Sequence, residues 1–242
     1  MFKNNKKEII FTESANFVKN TFANPKPGHN FIPKWFKDTK LFGNGKNDVI
    51  SSIKDKSLGT YKLCVPLTDT ISSGYIISLP ATIYVVNNGT KEKYEPFITW
   101  SVPWDICDTQ PQDTLKNYPI PYEHSSSFFR WILNWHIETP PGYSIWVTHP
   151  SHRYDLPFTT INGFVDTDRH PSSLFLPFFI RNGFEGMIEE GTPIAQIIPI
   201  KREHWISIRN PFNLNKNYSL DKVKIDFIRT YKKRYWSKKI YE

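Results

Sequence analysis

Cysteine, glycine and long apolar runs are all scarce in this 242-residue sequence. The only two cysteines, Cys64 and Cys107, lack CxxC spacing, which excludes a zinc knuckle and favours a reducing intracellular compartment. No apolar run is long enough to cross a bilayer, and none follows the basic start as it would in a signal peptide. We therefore expect a soluble protein that has no membrane partner.

Proline and aromatic residues, in contrast, are plentiful. The chain has 19 prolines, and aromatic side chains make up 16% of it. Because proline is excluded from helix interiors and central strands, many short strands joined by rigid loops are favoured over a helical bundle. The formal net charge of +8 attracts phosphate and nucleic acid, although chains rich in lysine and asparagine often only reflect an AT-rich genome.

The pattern of turns and apolar residues divides the chain into three regions. Residues 1–60 form an irregular arm, broken by prolines, with one short strand at residues 9–11. Residues 61–205 form a mainly β core, in which turn signals recur about every eight to twelve residues, as in a barrel or sandwich. Residues 206–242 form a C-terminal extension of different character.

Four segments of the core carry local predictions of their own. Residues 62–66 are short and apolar, which predicts a strand. Asn88-Gly89 predicts a hairpin with a type I′ turn, whose return strand covers residues 91–98. Residues 108–124 predict a loop, and residues 128–137 alternate as a strand does, while residues 126–133 are also compatible with a helix.

An amphipathic basic helix is predicted for residues 220–239. Ser219 is a suitable N-cap, and the last turns are basic, as suits a helix C-terminus. Apolar residues recur at three- and four-residue steps on one face. They are Leu220, Val223, Phe227, Ile228, Tyr231 and Tyr235. Such a helix docks on its own domain or on a neighbour; the alternative is that it binds nucleic acid, with Tyr231, Tyr235 and Trp236 between the cations.

Asp166 and Asp168 form the most promising site in the chain. They follow the Asn162-Gly163 turn, and residues two apart face the same side of an extended chain. Two neighbouring carboxylates suit a bound sugar, a water molecule or a metal ion. The alternative is turn chemistry, because aspartate after Asn-Gly commonly bonds its own backbone.

Five motifs stand in the order that is found in the dUTPase and dCTP deaminase family. They are DTISSGY at residues 69–75, PPGYS at 140–144, HPSH at 149–152, GFVDTD at 163–168 and GTPIAQ at 191–196. The sequence resembles this family over roughly residues 66–200. The resemblance implies a mainly β fold, a β-clip built as a distorted barrel or sandwich, and assembly into homotrimers.

The same resemblance assigns roles to individual residues. Asp166 stands where the family has the catalytic carboxylate that holds the sugar and orients the attacking water. Ser151 and Gln196 stand where a hydroxyl and an amide contact phosphate, and Tyr75 and Gly163 are turn and packing positions. The implied ligand-binding positions together are Tyr75, Ser151, Gly163, Asp168 and Gln196.

Several phosphate-binding residues of that family are missing here. Ile76 replaces the acidic residue of the first motif, and Pro150 and Pro193 replace arginines of the second and fourth. Residues 169–171 read Arg-His-Pro in place of Tyr-Arg-Gly, and residues 201–242 contain no glycine for a loop that closes over a triphosphate. Each lost phosphate contact removes about 1.5–3 kcal/mol of binding free energy. We therefore expect the scaffold without its triphosphate binding.

The sequence thus predicts a catalytically degenerate dUTPase-like protein that acts in binding or assembly and needs no cofactor. One alternative is a nucleotide-processing hydrolase with an altered pocket, in which Asp166 is the base. A divalent metal such as Mg²⁺ would then be held by His149, His152 and His170 with the carboxylates. A third alternative is a nucleic-acid-binding accessory protein. The whole sequence also resembles uncharacterised proteins of tailed bacteriophages, which implies the host cytoplasm or the virion as its location.

Overall fold

Three antiparallel β-sheets form the framework of the structure. The computed structural model describes residues 6–14, 23–41, 60–170, 173–209 and 231–242. Over these residues the chain is mainly β, as predicted, and none of its sheets closes into a barrel. Two short α-helices, α1 (Lys34–Asp38) and α2 (Val65–Ser72), accompany the sheets.

The strands are numbered in chain order. They are β1 (Ile10–Glu13), β2 (Lys26–Pro27), β3 (Tyr75–Ser78), β4 (Ile83–Asn87), β5 (Pro96–Trp100), β6 (Cys107–Gln110), β7 (Phe128–Glu138), β8 (Tyr143–Thr148), β9 (Phe158–Thr160), β10 (Gly163–Val165), β11 (Ser173–Ile180), β12 (Gly186–Ile188) and β13 (Pro193–Lys201). The short strand predicted at residues 9–11 is observed as β1, so this part of the N-terminal arm belongs to a sheet.

The first sheet is organised around the long strand β7. Its order is β1-β7-β11-β9. Two strands share one edge of β7: β6 pairs with its first half and β1 with its second half. Paired along both edges, β7 buries Trp131, Leu133 and Ile137 in the core. The helix alternative for residues 126–133 is therefore wrong, because aromatic and β-branched residues that alternate at period two suit a pleated strand.

The second sheet carries most of the predicted site residues. Its order is β10-β8-β13-β3-β2, and its strand β13 is fully buried at Ala195, Gln196 and Ile197. At one end, the β3–β13 pair leads through residues 79–82 and 189–192 into β4 and β12 of the third sheet. That sheet has the order β12-β4-β5.

Aromatic side chains fill the centre of the core. Trp131 stacks on Phe178 with ring centroids 3.6 Å apart, and Phe158 meets Trp131 edge-on at 5.2 Å. The indole Nε1 of Trp131 donates to Thr160 Oγ1 at 3.1 Å, so its one polar atom is satisfied. Burying an aromatic side chain contributes about 1.5–3 kcal/mol, so this group stabilises the contact between β7, β9 and β11.

The strand predicted at residues 62–66 is wrong, because this segment begins a helix. A 3₁₀ turn at Tyr61–Leu63 leads into α2, and Pro66 lies in the first turn, where its missing N–H costs nothing. Gly74 lies just beyond the helix with a φ of +64°, and a Cβ there would lie 2.1 Å from the carbonyl oxygen of Ile197. Glycine at this position therefore allows the chain to pass close to β13.

The predicted hairpin exists between β4 and β5, but its turn differs. Residues 88–95 form a longer loop, and the return strand begins later than predicted. Asn87 Oδ1 organises the loop by accepting hydrogen bonds from Gly89 N at 2.9 Å and from Glu95 N at 3.0 Å. The type I′ turn is therefore wrong, because the asparagine side chain satisfies the loop backbone in its place.

Two further predictions are corrected in part. The loop predicted at residues 108–124 contains most of β6 and a 3₁₀ turn at Gln112–Leu115. Of the helix predicted at residues 220–239, residues 220–230 lie outside the described residues. Tyr231–Tyr235 form a π-helical turn, and residues 236–242 form an irregular segment. The described part of the predicted helix is thus one turn followed by irregular chain.

Candidate functional site

Asp166 and Asp168, the two carboxylates predicted to share one face, both contact the guanidinium group of Arg202. Its Nη1 donates to Asp168 Oδ1 at 2.9 Å and to Asp166 Oδ1 at 3.1 Å, and its Nη2 donates to Asp168 Oδ2. Ser144 Oγ donates to Asp166 Oδ1 at 2.6 Å, and Gly142 N donates to Asp168 Oδ2 at 2.8 Å. We refer to these five residues as the acid–arginine cluster.

The sheet topology explains why the cluster forms. Asp166 directly follows β10 and Arg202 directly follows β13, and both strands run antiparallel to β8. Their C-terminal ends therefore meet at the beginning of β8, where Ser144 lies. Arg202 N also donates to the carbonyl oxygen of Gly142 at 2.8 Å, which fixes the backbone from which the guanidinium extends.

The two carboxylates of the cluster lie in different surroundings. The side chain of Asp168 is only 5% exposed, whereas that of Asp166 is 54% exposed. The hydrogen bond from Arg202 is the main cause that lowers the pKa of Asp168 to about 2, and the Gly142 N–H lowers it further against the opposing effect of desolvation. The same contact raises the pKa of Arg202. Asp168 is therefore ionised at neutral pH and held as a structural ion.

Gln196 and Ser151, the predicted phosphate contacts, meet each other directly. Gln196 is fully buried, and its Oε1 accepts a hydrogen bond from Ser151 N at 3.0 Å. Its Nε2 donates to the carbonyl oxygens of Thr70 at 2.9 Å and Ser73 at 2.7 Å. Because both donor hydrogens and the acceptor are occupied, this amide links the end of α2 to the turn after β8.

Asp166 and Ser151 do not converge within one chain. Gln196, which holds Ser151, lies opposite Thr148 near the end of β8, whereas Asp166 bonds Ser144 near its beginning. Four residues of strand separate these two positions, which corresponds to about 13 Å. The predicted sugar contact and the predicted phosphate contacts are therefore in separate environments of the single chain.

Tyr75 and Gly163, the predicted turn and packing positions, lie within strands. Tyr75 begins β3, and its hydroxyl donates to the carbonyl oxygen of Glu242 at 3.2 Å. Its ring meets Phe11 and Tyr241 edge-on, and burial is the main cause that raises its pKa. Gly163 begins β10, and a Cβ there would meet no atom within 4 Å, so the site does not require glycine for space.

The three histidines of the metal alternative have separate local roles. His149 is held by the backbone on both ring nitrogens, since Nδ1 accepts from Thr160 N at 3.3 Å and Nε2 bonds the Arg153 carbonyl oxygen at 3.1 Å. Burial is the main cause that lowers its pKa. The ring of His152 meets Tyr154 edge-on, and His170 N donates to the Asp166 carbonyl oxygen at 3.0 Å. Among the residues that the structure describes, no three His, Cys, Asp or Glu side chains are grouped as metal ligands.

A cavity of about 680 Å³ lies beside the turn after β8. Its polar lining includes His124, His149, Ser151, His152, Arg153 and Arg181. The two arginines already have partners: Arg153 pairs with Asp155 at 2.9 Å, and Arg181 donates to the Tyr154 carbonyl oxygen at 2.8 Å. The cavity is large enough for a small ligand, but it does not include Asp166.

Sequence reasoning missed Arg202, which organises the acid–arginine cluster. It lies 36 residues from Asp166 and 34 from Asp168, so no local motif connects them. The available signal was indirect, because two neighbouring carboxylates need a cation when one of them is buried. Only the sheet topology shows which of the 31 lysines and arginines is that cation.

In comparisons with known proteins, the sequence matched no family model and no curated protein.

Within the described ranges, no helix has the length and apolar character needed to cross a membrane. The two cysteines are both free, and burial is the main cause that raises the pKa of the Cys107 thiol to about 12.

Proposed function

We propose that this chain is a dUTPase-like β-clip protein that lacks catalysis and acts as a binding or assembly protein in a homotrimer. The order of its five motifs supports the family, and its mainly β architecture is compatible with that fold. The observation that carries the loss of catalysis is the acid–arginine cluster, because Arg202 holds both aspartates in internal contacts.

A general base must be free to accept the proton of an attacking water. Asp166 Oδ1 already accepts hydrogen bonds from Ser144 and Arg202, so this oxygen is occupied by internal contacts. Asp168 is almost completely buried under the same guanidinium. The amide of Gln196 is fully used in backbone contacts and has no hydrogen left for a phosphate oxygen.

The second candidate is a nucleotide-processing hydrolase with Asp166 as its base. The exposure of the Asp166 side chain favours it, since 54% of this side chain is accessible to a ligand from solvent. In this alternative the substrate lies against the exposed side of the carboxylate, and Arg202 orients it.

Exposed apolar residues support the assembly part of the proposal. On the outer face of the third sheet, Tyr84 lies opposite Met187 and Val86 lies opposite Phe97, and all four are exposed. A contiguous apolar patch of this kind marks an interaction surface. The occupant that we assign to it is a second copy of the chain.

The segment after β13 supplies a matching apolar surface. Trp205, Ile206 and Ile208 are all strongly exposed on it, with Trp205 at 83%. β13 begins beside the third sheet and ends at this segment, and its length is about 27 Å. The three residues from Arg202 to Trp205 can span about 11 Å at most. Trp205 therefore does not cover the third sheet of its own chain. A head-to-tail contact between copies brings the two surfaces together, and it closes into a ring.

Hydrolysis assays test the catalytic part of the proposal. The full chain is incubated with each deoxynucleoside triphosphate and Mg²⁺, and pyrophosphate release is measured. We expect no release above the rate without protein. Release that is abolished by Asp166→Asn would overturn the proposal in favour of the hydrolase.

Sedimentation equilibrium tests the assembly part. We expect a trimer that dissociates in the double variant Val86→Thr/Phe97→Thr, since threonine keeps the strand propensity and removes apolar surface. Phe164→Thr is the matched control, because Phe164 is also exposed but lies on β10 of the second sheet. A monomeric parent protein, or equal dissociation by the control, would contradict this assembly.

A further inference from the structure

A second cavity, of about 730 Å³, lies between α1, α2 and the C-terminal segment 231–242. Its walls are mainly apolar and include Phe36, Leu41, Leu63, Val65 and Ile240. Small-molecule sites have volumes of about 300–1,000 Å³ and combine apolar walls with a few polar groups. We refer to this space as the lysine cavity, because Lys62, Lys232, Lys238 and Lys239 also line it.

The C-terminal wall of the lysine cavity is anchored to the rest of the chain. Trp236 Nε1 donates to Asp69 Oδ2 on α2 at 2.8 Å, and Lys239 Nζ pairs with the same oxygen at 2.7 Å. Glu242 bonds the hydroxyl of Tyr75 through its carbonyl oxygen and pairs with Lys6 at 2.8 Å. The cavity is therefore formed before any ligand binds, which reduces the entropy cost of binding.

Positive charge exceeds negative charge in the lysine cavity, which is lined by four lysines and by the carboxylates of Asp69 and Glu242. Lys239 is neutralised by Asp69, but Lys62, Lys232 and Lys238 have no carboxylate within salt-bridge distance among the described residues. Lys62 Nζ donates to the Lys37 carbonyl oxygen at 2.7 Å, which leaves two of its three hydrogens for another acceptor. Three unpaired ammonium groups around one apolar space repel each other and attract a single anion.

We propose that the lysine cavity binds a small organic anion in which one phosphate group is carried on an aromatic or apolar body, as in a nucleoside monophosphate. The ammonium groups bind the phosphate as point charges, which is the usual role of lysine at phosphate sites. The apolar walls contact the body of the ligand. The site is distinct from the acid–arginine cluster, so this inference does not depend on the β-clip assignment.

The shape of the site favours a small anion over nucleic acid. Single-stranded nucleic acid needs a long basic groove with exposed aromatic rings along it. Here the indole of Trp236 is half-buried, its Nε1 is bound to Asp69, and Lys232 and Lys239 lie about 6 Å from the ring centre. The cations therefore surround a concave space in which the indole is half-buried and not exposed for base stacking.

Calorimetric titration of the full chain with AMP tests the proposal, with inorganic phosphate and adenosine as separate probes. We expect AMP to bind more tightly than either probe, because it uses both the ammonium groups and the apolar walls. The double variant Lys232→Gln/Lys238→Gln should weaken AMP binding at least tenfold. The control Lys91→Gln/Lys116→Gln makes the same change in net charge at two exposed lysines outside the cavity, and it should alter the affinity less than twofold.

A second variant separates the two parts of the ligand. Ile240→Ser removes apolar wall without a change in charge, so it should weaken AMP binding and leave phosphate binding unchanged. Absence of AMP binding at millimolar concentration would overturn the proposal. Equal weakening by the two double lysine variants would also overturn it, since diffuse attraction to a basic protein would then be sufficient. So would binding of a single-stranded oligonucleotide with no binding of AMP.

Discussion

The acid–arginine cluster and the lysine cavity are both charged regions, but they differ in how their charges are satisfied. In the cluster, both carboxylates accept hydrogen bonds from Arg202, and the buried carboxylate of Asp168 lies against its guanidinium group. In the lysine cavity, Asp69 and Glu242 pair with Lys239 and Lys6, whereas Lys62, Lys232 and Lys238 have no carboxylate within salt-bridge distance among the described residues. The first arrangement stabilises the fold, whereas the second leaves free energy of interaction available to a ligand.

The difference shows that motif position alone does not identify a binding site. Asp166, Asp168 and Gln196 stand in motifs that resemble ligand-binding residues, but the structure uses them in internal contacts. Lys232 and Lys238 belong to no motif, but they line a cavity with unpaired charge. A test of the comparison must therefore measure stability at the first group of residues and binding at the second.

The largest expected effect is on stability, at Gln196. Gln196→Met keeps the approximate volume but removes three hydrogen bonds, which leaves Ser151 N and the carbonyl oxygens of Thr70 and Ser73 without their partner. We expect a loss of about 3 kcal/mol in the free energy of unfolding. Urea denaturation measures this loss. An unchanged stability would show that the amide is dispensable and remains available to a ligand.

The next effect is the pH dependence that Asp168 gives to stability. Its pKa is lowered from 3.8 in the unfolded chain to about 2 in the folded protein, so the unfolded state binds the proton more readily. This contribution is complete above pH 4 and is lost as the pH falls from about 4 to about 2. We expect Asp168→Asn to abolish that part of the acid transition, as measured by circular dichroism against pH.

Asp166→Asn is the matched control for this pH prediction. Its side chain is largely exposed, and exposed ion pairs contribute about 0–1 kcal/mol. We therefore expect its acid transition to follow that of the parent chain closely. If Asp166→Asn changes the acid transition more than Asp168→Asn does, then Asp168 is not the carboxylate that gives the stability its pH dependence.

The sequence predicted the mainly β class because period-two alternation and frequent prolines are local signals. Strands such as β1 and β4 follow directly from that pattern. The segment at residues 62–66 was assigned wrongly because a short apolar run is ambiguous between strand and helix, and the position of Pro66 in the first turn decided it. Asn87 similarly determined the hairpin loop through a side-chain contact that turn statistics on Asn88-Gly89 do not include.

The candidate sites were predictable only in part. Asp166 and Asp168 were predicted to share a face of an extended segment. Both do contact Arg202, but residues 167–169 form a turn after β10, so the extended geometry is wrong. Arg202 could not be predicted, because its approach depends on β10 and β13 pairing with the two edges of β8. The lysine cavity could not be predicted from local patterns either, since it joins α2 to a segment about 170 residues further along the chain.

A smaller effect is expected at Asp69, the anchor of the C-terminal segment. Asp69→Asn weakens the hydrogen bond from Trp236 Nε1 and removes the charge that Lys239 pairs with. We expect a loss of about 1 kcal/mol in the local stability of residues 231–242, with little change in the core. Hydrogen exchange of the 231–242 backbone, compared with that of β7, measures the difference. Equal acceleration in both would show that the segment is part of the core.

The smallest expected effect on stability is at Lys232 and Lys238 of the lysine cavity. In the ligand-free protein, Lys232→Gln/Lys238→Gln removes two mutually repelling charges and no salt bridge among the described contacts. We therefore expect the free energy of unfolding to stay within about 0.5 kcal/mol of the parent value, or to rise slightly at low salt. A clear destabilisation would show that these lysines already have structural partners. The charge of the lysine cavity would then be used by the fold, as it is in the acid–arginine cluster, and would not be available to a ligand.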